Sequence, residues 1–195
     1  MGLPALREAV ATDIHQRYGN KPDVSNIQIV PGGKPILFTA MMLLGGPEHE
    51  ILTPDPGFPI YQSAINYSGA SSISYGLIEE NGFAFDAEEV LSKITDRTSL
   101  VIVNSPANPT GGVTPRAELD KFVKGLEIFP HVTVLSDEIY DRLIFEGEPT
   151  SLMTYPSLQD KLIILNGWSK TYAMTGWRIG YGVWPKRLVD YADRL

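Results

Sequence analysis

Two side chains could carry covalent and proton chemistry if the fold brought them together. Lys170, in Gly167-Trp168-Ser169-Lys170, follows a β-branched and aliphatic run. A lysine placed directly after a buried strand is poorly solvated, and a desolvated ammonium tends to lose its proton. The neutral amine attacks carbonyls and forms Schiff bases. Asp137, in Ser136-Asp137-Glu138-Ile139-Tyr140, closes the apolar run 132–135. A carboxylate in such a place needs a cation or a metal beside it. Tyr140, three residues on, could face the same site. Arg178 stands eight residues after Lys170, between Gly176 and Gly180, and its guanidinium could grip a phosphate with two parallel hydrogen bonds. Each has a plainer reading as well: a surface lysine, a helix-capping aspartate, an arginine in an ion pair.

Three further segments leave the ends of apolar runs. Pro31-Gly32-Gly33-Lys34 opens a helical pattern. Glycines there can turn the backbone N–H groups of Gly33 and its neighbours toward an anion at the helix start, and Lys34 could add charge; an ordinary strand–helix turn has the same composition. Thr53-Pro54-Asp55-Pro56-Gly57-Phe58-Pro59 is a stiff loop that presents one ring, so Phe58 either stacks on a flat cofactor or plugs the core. Asn104-Ser105-Pro106-Ala107-Asn108-Pro109-Thr110-Gly111-Gly112 is over-determined by prolines and glycines, and the bond before Pro109 is a place for a cis peptide. An amide held so stiffly suits a hydrogen bond to a ring hydroxyl, although asparagine is also common in turns.

The elements that must position these groups follow a rhythm of strand and helix. Runs at 27–30, 50–53, 71–75, 100–103, 132–136, 161–166 and 179–183 read as strands, several of them apolar on successive residues as in strands buried on both faces. Helical patterns fill 34–44, 58–68, 86–94 and 115–125, another enters at 2–4 and the last begins at 185. Asp86 reads as a cap, and Thr114 as a cap ahead of Pro115 at the first helical position. This alternation predicts an α/β fold with a mostly parallel seven-stranded sheet, in which ligands bind beyond the carboxyl ends of the strands.

Composition narrows the classes. The chain has 195 residues with a net charge of −7, the wrong sign for binding nucleic acid by phosphate neutralisation. There is no cysteine, which removes disulfides, thiol catalysis and thiolate zinc sites and agrees with a cytoplasmic setting. No signal-peptide pattern and no apolar run of membrane-spanning length is present, so neither a membrane nor a nucleic acid is expected as partner. No residue is assigned to a metal.

Taken in order, Asn108-Pro109-Thr110-Gly111, Asp137-Glu138-Ile139-Tyr140, and Ser169-Lys170 followed by Gly176-Trp177-Arg178-Ile179-Gly180 resemble the large domain of fold-type I pyridoxal-phosphate enzymes of the class I/II, aspartate aminotransferase-like group. The resemblance runs from Gly2-Leu3-Pro4-Ala5-Leu6-Arg7-Glu8-Ala9 to Pro185. It implies a three-layer α/β/α sandwich whose last strand is antiparallel. It implies pyridoxal 5′-phosphate (PLP) as cofactor, with Lys170 forming the Schiff base and shuttling the substrate proton. Asp137 would sit against the pyridine nitrogen, Asn108 and Tyr140 on the ring oxygen, Phe58 on the ring face, and Gly33, Lys34 and Arg178 on the phosphate.

The implied activity is transamination between an amino acid and a 2-oxo acid, by a homodimer. A C–S lyase, a cyclopropane-forming synthase and a non-catalytic PLP-sensing module share these residues and stand as alternatives. Residues 1–195 would then be the PLP-binding large domain of a longer enzyme, without the family's N-terminal segment and C-terminal small domain. Three positions depart from the family pattern: Ala107 stands for an asparagine, Gly167 for a frequent serine on the phosphate, and Trp168 for a smaller residue.

Overall fold

Seven strands form the frame of a computed structural model that describes residues 1–146 and 150–195. They are β1 (Ile27–Val30), β2 (Glu50–Asp55), β3 (Ser71–Gly76), β4 (Thr98–Asn104), β5 (Thr133–Asp137), β6 (Leu162–Gly167) and β7 (Gly180–Val183). They lie in one sheet in the order β1-β7-β6-β5-β4-β2-β3. The pairs β2–β3, β2–β4, β4–β5 and β5–β6 are parallel, whereas β7 runs antiparallel to both β6 and β1. The mostly parallel sheet and its antiparallel last strand match the expectation.

The helices are α1 (Pro4–Tyr18), α2 (Lys34–Leu44), α3 (Pro59–Ser68), α4 (Ala87–Ser92), α5 (Arg116–Gly125) and α6 (Lys186–Ala192). Their distribution follows from strand alternation, because successive residues of a strand face opposite sides of the sheet. In β4, Val101 and Val103 belong to the core shared with Val10 and Ile14 of α1, Val90 of α4 and Phe122 of α5. Leu100 and Ile102 belong to the other core, with Leu37 and Met41 of α2, Ile65 of α3 and Leu188 of α6. Both faces are dry, so the central strands carry unbroken apolar runs. The anchoring is strong: Phe122 is fully buried with its ring 5.4 Å from that of Phe85, and truncating such a residue to alanine costs about 3–5 kcal/mol.

Several boundaries move by a residue or two. β5 and β6 each start and end one residue later than the apolar runs suggest, so that Asp137 and Gly167 are the last ladder residues rather than the first loop residues. α4 stops at Ser92, and Asp86 caps it as expected, accepting from the N–H groups of Glu88 and Glu89 at 2.8 and 3.0 Å. Thr114 is not a cap. Pro115 takes the N-cap position in an extended conformation, and Thr114 is buried with its N–H donating to Ser105 Oγ at 2.9 Å. The 104–112 loop therefore claims Thr114 as an anchor.

Candidate active site

β4 and β5 end in register, Asn104 opposite Asp137, and β6 ends beside them. The segments beyond these ends, with the starts of α2 and α3, line a cavity of about 430 Å³. That volume lies in the range of small-molecule and cofactor sites. All eight residues singled out from the sequence line it: Gly33, Lys34, Phe58, Asn108, Asp137, Tyr140, Lys170 and Arg178.

Asp137 is buried, and burial pushes its carboxyl up to about 6, against hydrogen bonds that pull it back down. Those bonds come from Tyr61 Oη at 2.7 Å and from the Ile139 N–H at 3.3 Å. Among the described residues no cation pairs with it, and no cluster of metal-ligating side chains surrounds it. No helix follows it, which removes the capping role. A buried carboxylate that opens on a cavity and has no positive partner suits a ligand that brings an N–H or a positive charge.

Asn104 ties the neighbouring loop to this carboxylate's strand. Its amide donates to the Asp137 carbonyl at 2.9 Å, and its Oδ1 accepts from the Asn108 N–H at 2.8 Å. The Asn108–Pro109 bond is cis, as are Asp55–Pro56 and Ser105–Pro106. The Asn104 bonds tie the loop's backbone to β5, and Asn108 lines the cavity.

Lys170 is exposed rather than desolvated, which corrects the expectation from the sequence. β6 stops at Gly167, and the three residues after it carry the amine out of the sheet into the cavity mouth. Its Nζ lies 5.6 Å from the centre of the Tyr140 ring.

Two further cations, Lys34 and Arg178, line the cavity. Arg178 sits in the left-handed region, at φ 53° and ψ 50°, a conformation that is costly for a bulky residue and clusters at functional sites. Its Nη1 donates to the Thr175 carbonyl at 2.9 Å, and among the described residues it has no carboxylate partner, so the ion-pair reading falls away. A Cβ at Gly32, whose φ is +82°, would run into that guanidinium. Arg178 therefore packs against Gly32, next to the N-terminus of α2, where free N–H groups favour an anion. Lys34 Nζ stands 5.7 Å from the Phe58 ring, which is half-buried and meets Tyr61 edge-on at 5.8 Å. The whole set fits a flat ring with a basic nitrogen at the Asp137 end and a phosphate at the Arg178 end.

The departures from the family pattern have packing reasons. A Cβ on Gly167 would meet the Gly180 Cα at 2.9 Å, because these two glycines pair across β6 and β7. The Trp168 ring packs on Tyr181 at 5.4 Å, and Ala107 is buried.

Two site residues were not read from the sequence. Asn104 ends β4 as Asp137 ends β5, and a polar residue closing each of two successive buried runs was the available signal. Tyr61 sits with Ala64 and Ile65 on the buried side of α3, so its spacing alone marks it as core.

The full chain, residues 1–195, matches the family described as aminotransferase class I and II. It is 35% identical over 190 residues to the aspartate/prephenate aminotransferase of Cereibacter sphaeroides, covering 96% of this chain and 48% of that one. It is 34% identical over 194 residues to an arginine–pyruvate transaminase of Pseudomonas aeruginosa, covering 100% and 49%. Among solved structures it is similar to the Thermus thermophilus aspartate aminotransferase with maleate, at a TM-score of 0.92 and 33% identity, over 98% of this chain and 49% of the other. The chain spans about half the length of the curated relatives it matches.

Proposed function

The chain belongs to the class I and II aminotransferases, and from that membership we propose that residues 1–195 are the PLP-binding large domain of a transaminase that moves an amino group between an amino acid and a 2-oxo acid. Members of this family use PLP, which when bound supplies an aldehyde conjugated to a ring that accepts electrons. Asp137 accepts a hydrogen bond from the ring nitrogen and keeps it protonated. Lys170 Nζ would hold the group through its aldehyde, and the same amine, when free, would take and return the proton at the substrate Cα. Asn108 and Tyr140 hydrogen-bond the ring oxygen, Phe58 covers one ring face, and Gly33, Lys34 and Arg178 bind the phosphate. We place the working protein in the cytoplasm as a homodimer, on the strength of the family resemblance and the absence of cysteine.

One observation carries this reading: a buried carboxylate, pushed up to about 6 and without a cation among the described residues, opens onto the cavity that also receives Lys170. The test is to add PLP to the purified chain and follow its visible absorbance. Borohydride reduction, digestion and mass analysis should then place the label on Lys170, and Lys170→Ala should abolish both signals. An unchanged spectrum, or a label on another lysine, overturns the assignment. Release of an oxo acid from single amino acids then marks transamination, whereas pyruvate with ammonia marks elimination.

A further inference from the structure

Four charged side chains, two of them on α1, form a chain of ion pairs. Asp13 and Arg17 stand one turn apart on α1 and pair at 3.0 Å. Arg17 also pairs with the buried Asp141, and Arg142 Nη2 takes both oxygens of Asp13 at 2.8 and 2.9 Å. Asp141 and Arg142 are the two residues that follow Tyr140.

Each of the two also reaches the segment that carries Lys170. Asp141 Oδ2 accepts from Asn166 Nδ2 at 3.0 Å, and Asn166 Oδ1 takes the Gly167 N–H at 2.7 Å. Arg142 Nη1 donates to the Tyr172 hydroxyl at 2.7 Å. The Lys170 turn is therefore gripped before and after the lysine by the two residues that follow Tyr140.

At the start of that turn the Trp168 ring packs on Tyr181, and Ser169 is buried. The turn's own backbone bonds, Tyr172 N–H to Trp168 and Ala173 N–H to Lys170, are both 3.2 Å. Beneath it lies a second cavity of about 270 Å³, lined by Asp13, Arg17, Arg142, Trp168 and Thr171, whose hydroxyl is buried without a partner. Beyond Ser169 the turn faces this half-open pocket and not a close-packed core. Exposed pairs, and a pair with one buried aspartate, are weak sources of net stability, so the set is better understood as fixing a position than as holding the fold.

We propose that Asp141 and Arg142 are positioning residues: anchored by Arg17 and Asp13 of α1, they set the place of the Lys170 amine relative to Tyr140. The proposal rests on the PLP-site reading above. Displacing a reacting group by about 1 Å can cost on the order of a hundredfold in rate, which gives such a clamp a use.

The test uses the PLP-loaded chain and the variants Arg142→Ala, Arg142→Lys, Asp141→Asn and Tyr172→Phe. Tyr172→Phe removes a single hydroxyl from an exposed residue and keeps the test open if the buried Asp141→Asn variant does not fold. Three quantities are measured: the rate of borohydride-trapped capture of PLP, the pH midpoint of the visible band, and the melting temperature. Arg142→Ala and Tyr172→Phe should each slow capture roughly tenfold and move the midpoint by about half a unit. Arg142→Lys should recover part of both effects, and the Arg142→Ala/Tyr172→Phe double variant should do no worse than the worse single, since both break one contact. A lower melting temperature with capture rate and midpoint unchanged overturns the proposal and leaves the PLP site standing. If the unsubstituted chain captures no PLP, the site reading falls and this proposal falls with it.

Discussion

The Tyr61 hydroxyl, on α3, donates to Asp137 Oδ2 at 2.7 Å across the helix–sheet interface, and both residues are buried. Burial pushes the Asp137 carboxyl up, and this bond pulls it down. Burial and the adjacent carboxylate hold the Tyr61 hydroxyl well above its ordinary value, so it remains a donor across the working pH range. Tyr61→Phe leaves burial as the stronger influence, and the carboxyl climbs further. A neutral acid no longer offers a protonated ring nitrogen a charged acceptor, so PLP affinity at pH 7 should fall about three- to tenfold, the effect of one charge-assisted hydrogen bond weakened. The acid limb of binding should shift to higher pH. Affinity measured from pH 5 to 8 checks this, and an unmoved acid limb would exclude the role given to Tyr61.

Asp137 itself should cost the empty protein stability at neutral pH. The folded chain keeps this proton up to about 6, whereas the unfolded carboxyl releases it near 3.8. Between those values the folded state binds more protons, so stability falls as pH rises through the window, and the cost remains above it. The shift corresponds to about 3 kcal/mol. Asp137→Asn removes the ionisable group and should stabilise the empty chain by about 1–3 kcal/mol at pH 7.5, while PLP binding is lost. Near pH 4 the two proteins should converge. Urea unfolding at both pH values decides it, and equal stabilities at pH 7.5 would count against a buried ionised carboxylate.

These two residues show what the sequence could and could not disclose. Asp137 was legible because a charged residue ending an apolar run is chemically conspicuous. Lys170 was legible as a candidate nucleophile, but its exposure was not, because the distance a turn carries a side chain beyond a sheet is set by where the strand ends. Tyr61 was hidden because a tyrosine at helical spacing looks the same whether its hydroxyl meets a carboxylate or water. Arg178 could be assigned to a phosphate from its type, yet its left-handed backbone and its bed on Gly32 arise only when β7 is laid against the α2 turn. Periodicity reports which face is buried; the partners across the layers come from tertiary packing.

Gly180 should be nearly irreplaceable for that reason. A Cβ there would meet the Gly32 carbonyl carbon at 2.7 Å and the Gly33 nitrogen at 2.8 Å, backbone atoms that cannot rotate away. Gly180→Ala should destabilise the chain by about 1–3 kcal/mol, as overpacking does. It should also weaken inorganic phosphate as a competitor of PLP, because the turn that shifts is the one under Arg178. Gly176→Ala is the control: a Cβ at Gly176 meets nothing within 4 Å, and that variant should match the unsubstituted chain in both measurements. Equal melting temperatures for the two variants would show that the turn yields.

Glu138, the neighbour of Asp137, offers a contrast within one strand end. It is buried, and burial pushes its carboxyl up to about 7, opposed by hydrogen bonds from Ser151, from Ser136 and from the Leu152 N–H. Two of these measure 2.9 Å from Ser136 Oγ and 3.1 Å from the Leu152 N–H. It too holds its proton longer when folded, so it lowers stability as pH rises from its ordinary value of 4.5 toward about 7. Adjacent residues of an extended segment point to opposite sides, and Glu138 does not line the cavity that Asp137 opens into. Glu138→Gln should therefore flatten the pH dependence of stability between pH 5 and 7.5 and leave PLP affinity within about twofold, since its Oε1 still accepts from Ser136 and Leu152. Saturating PLP should instead flatten the share that belongs to Asp137. If Glu138→Gln and PLP abolish the same part of the slope, the two carboxylates titrate as one unit, and the separation of a ligand-facing acid from a structural one is wrong.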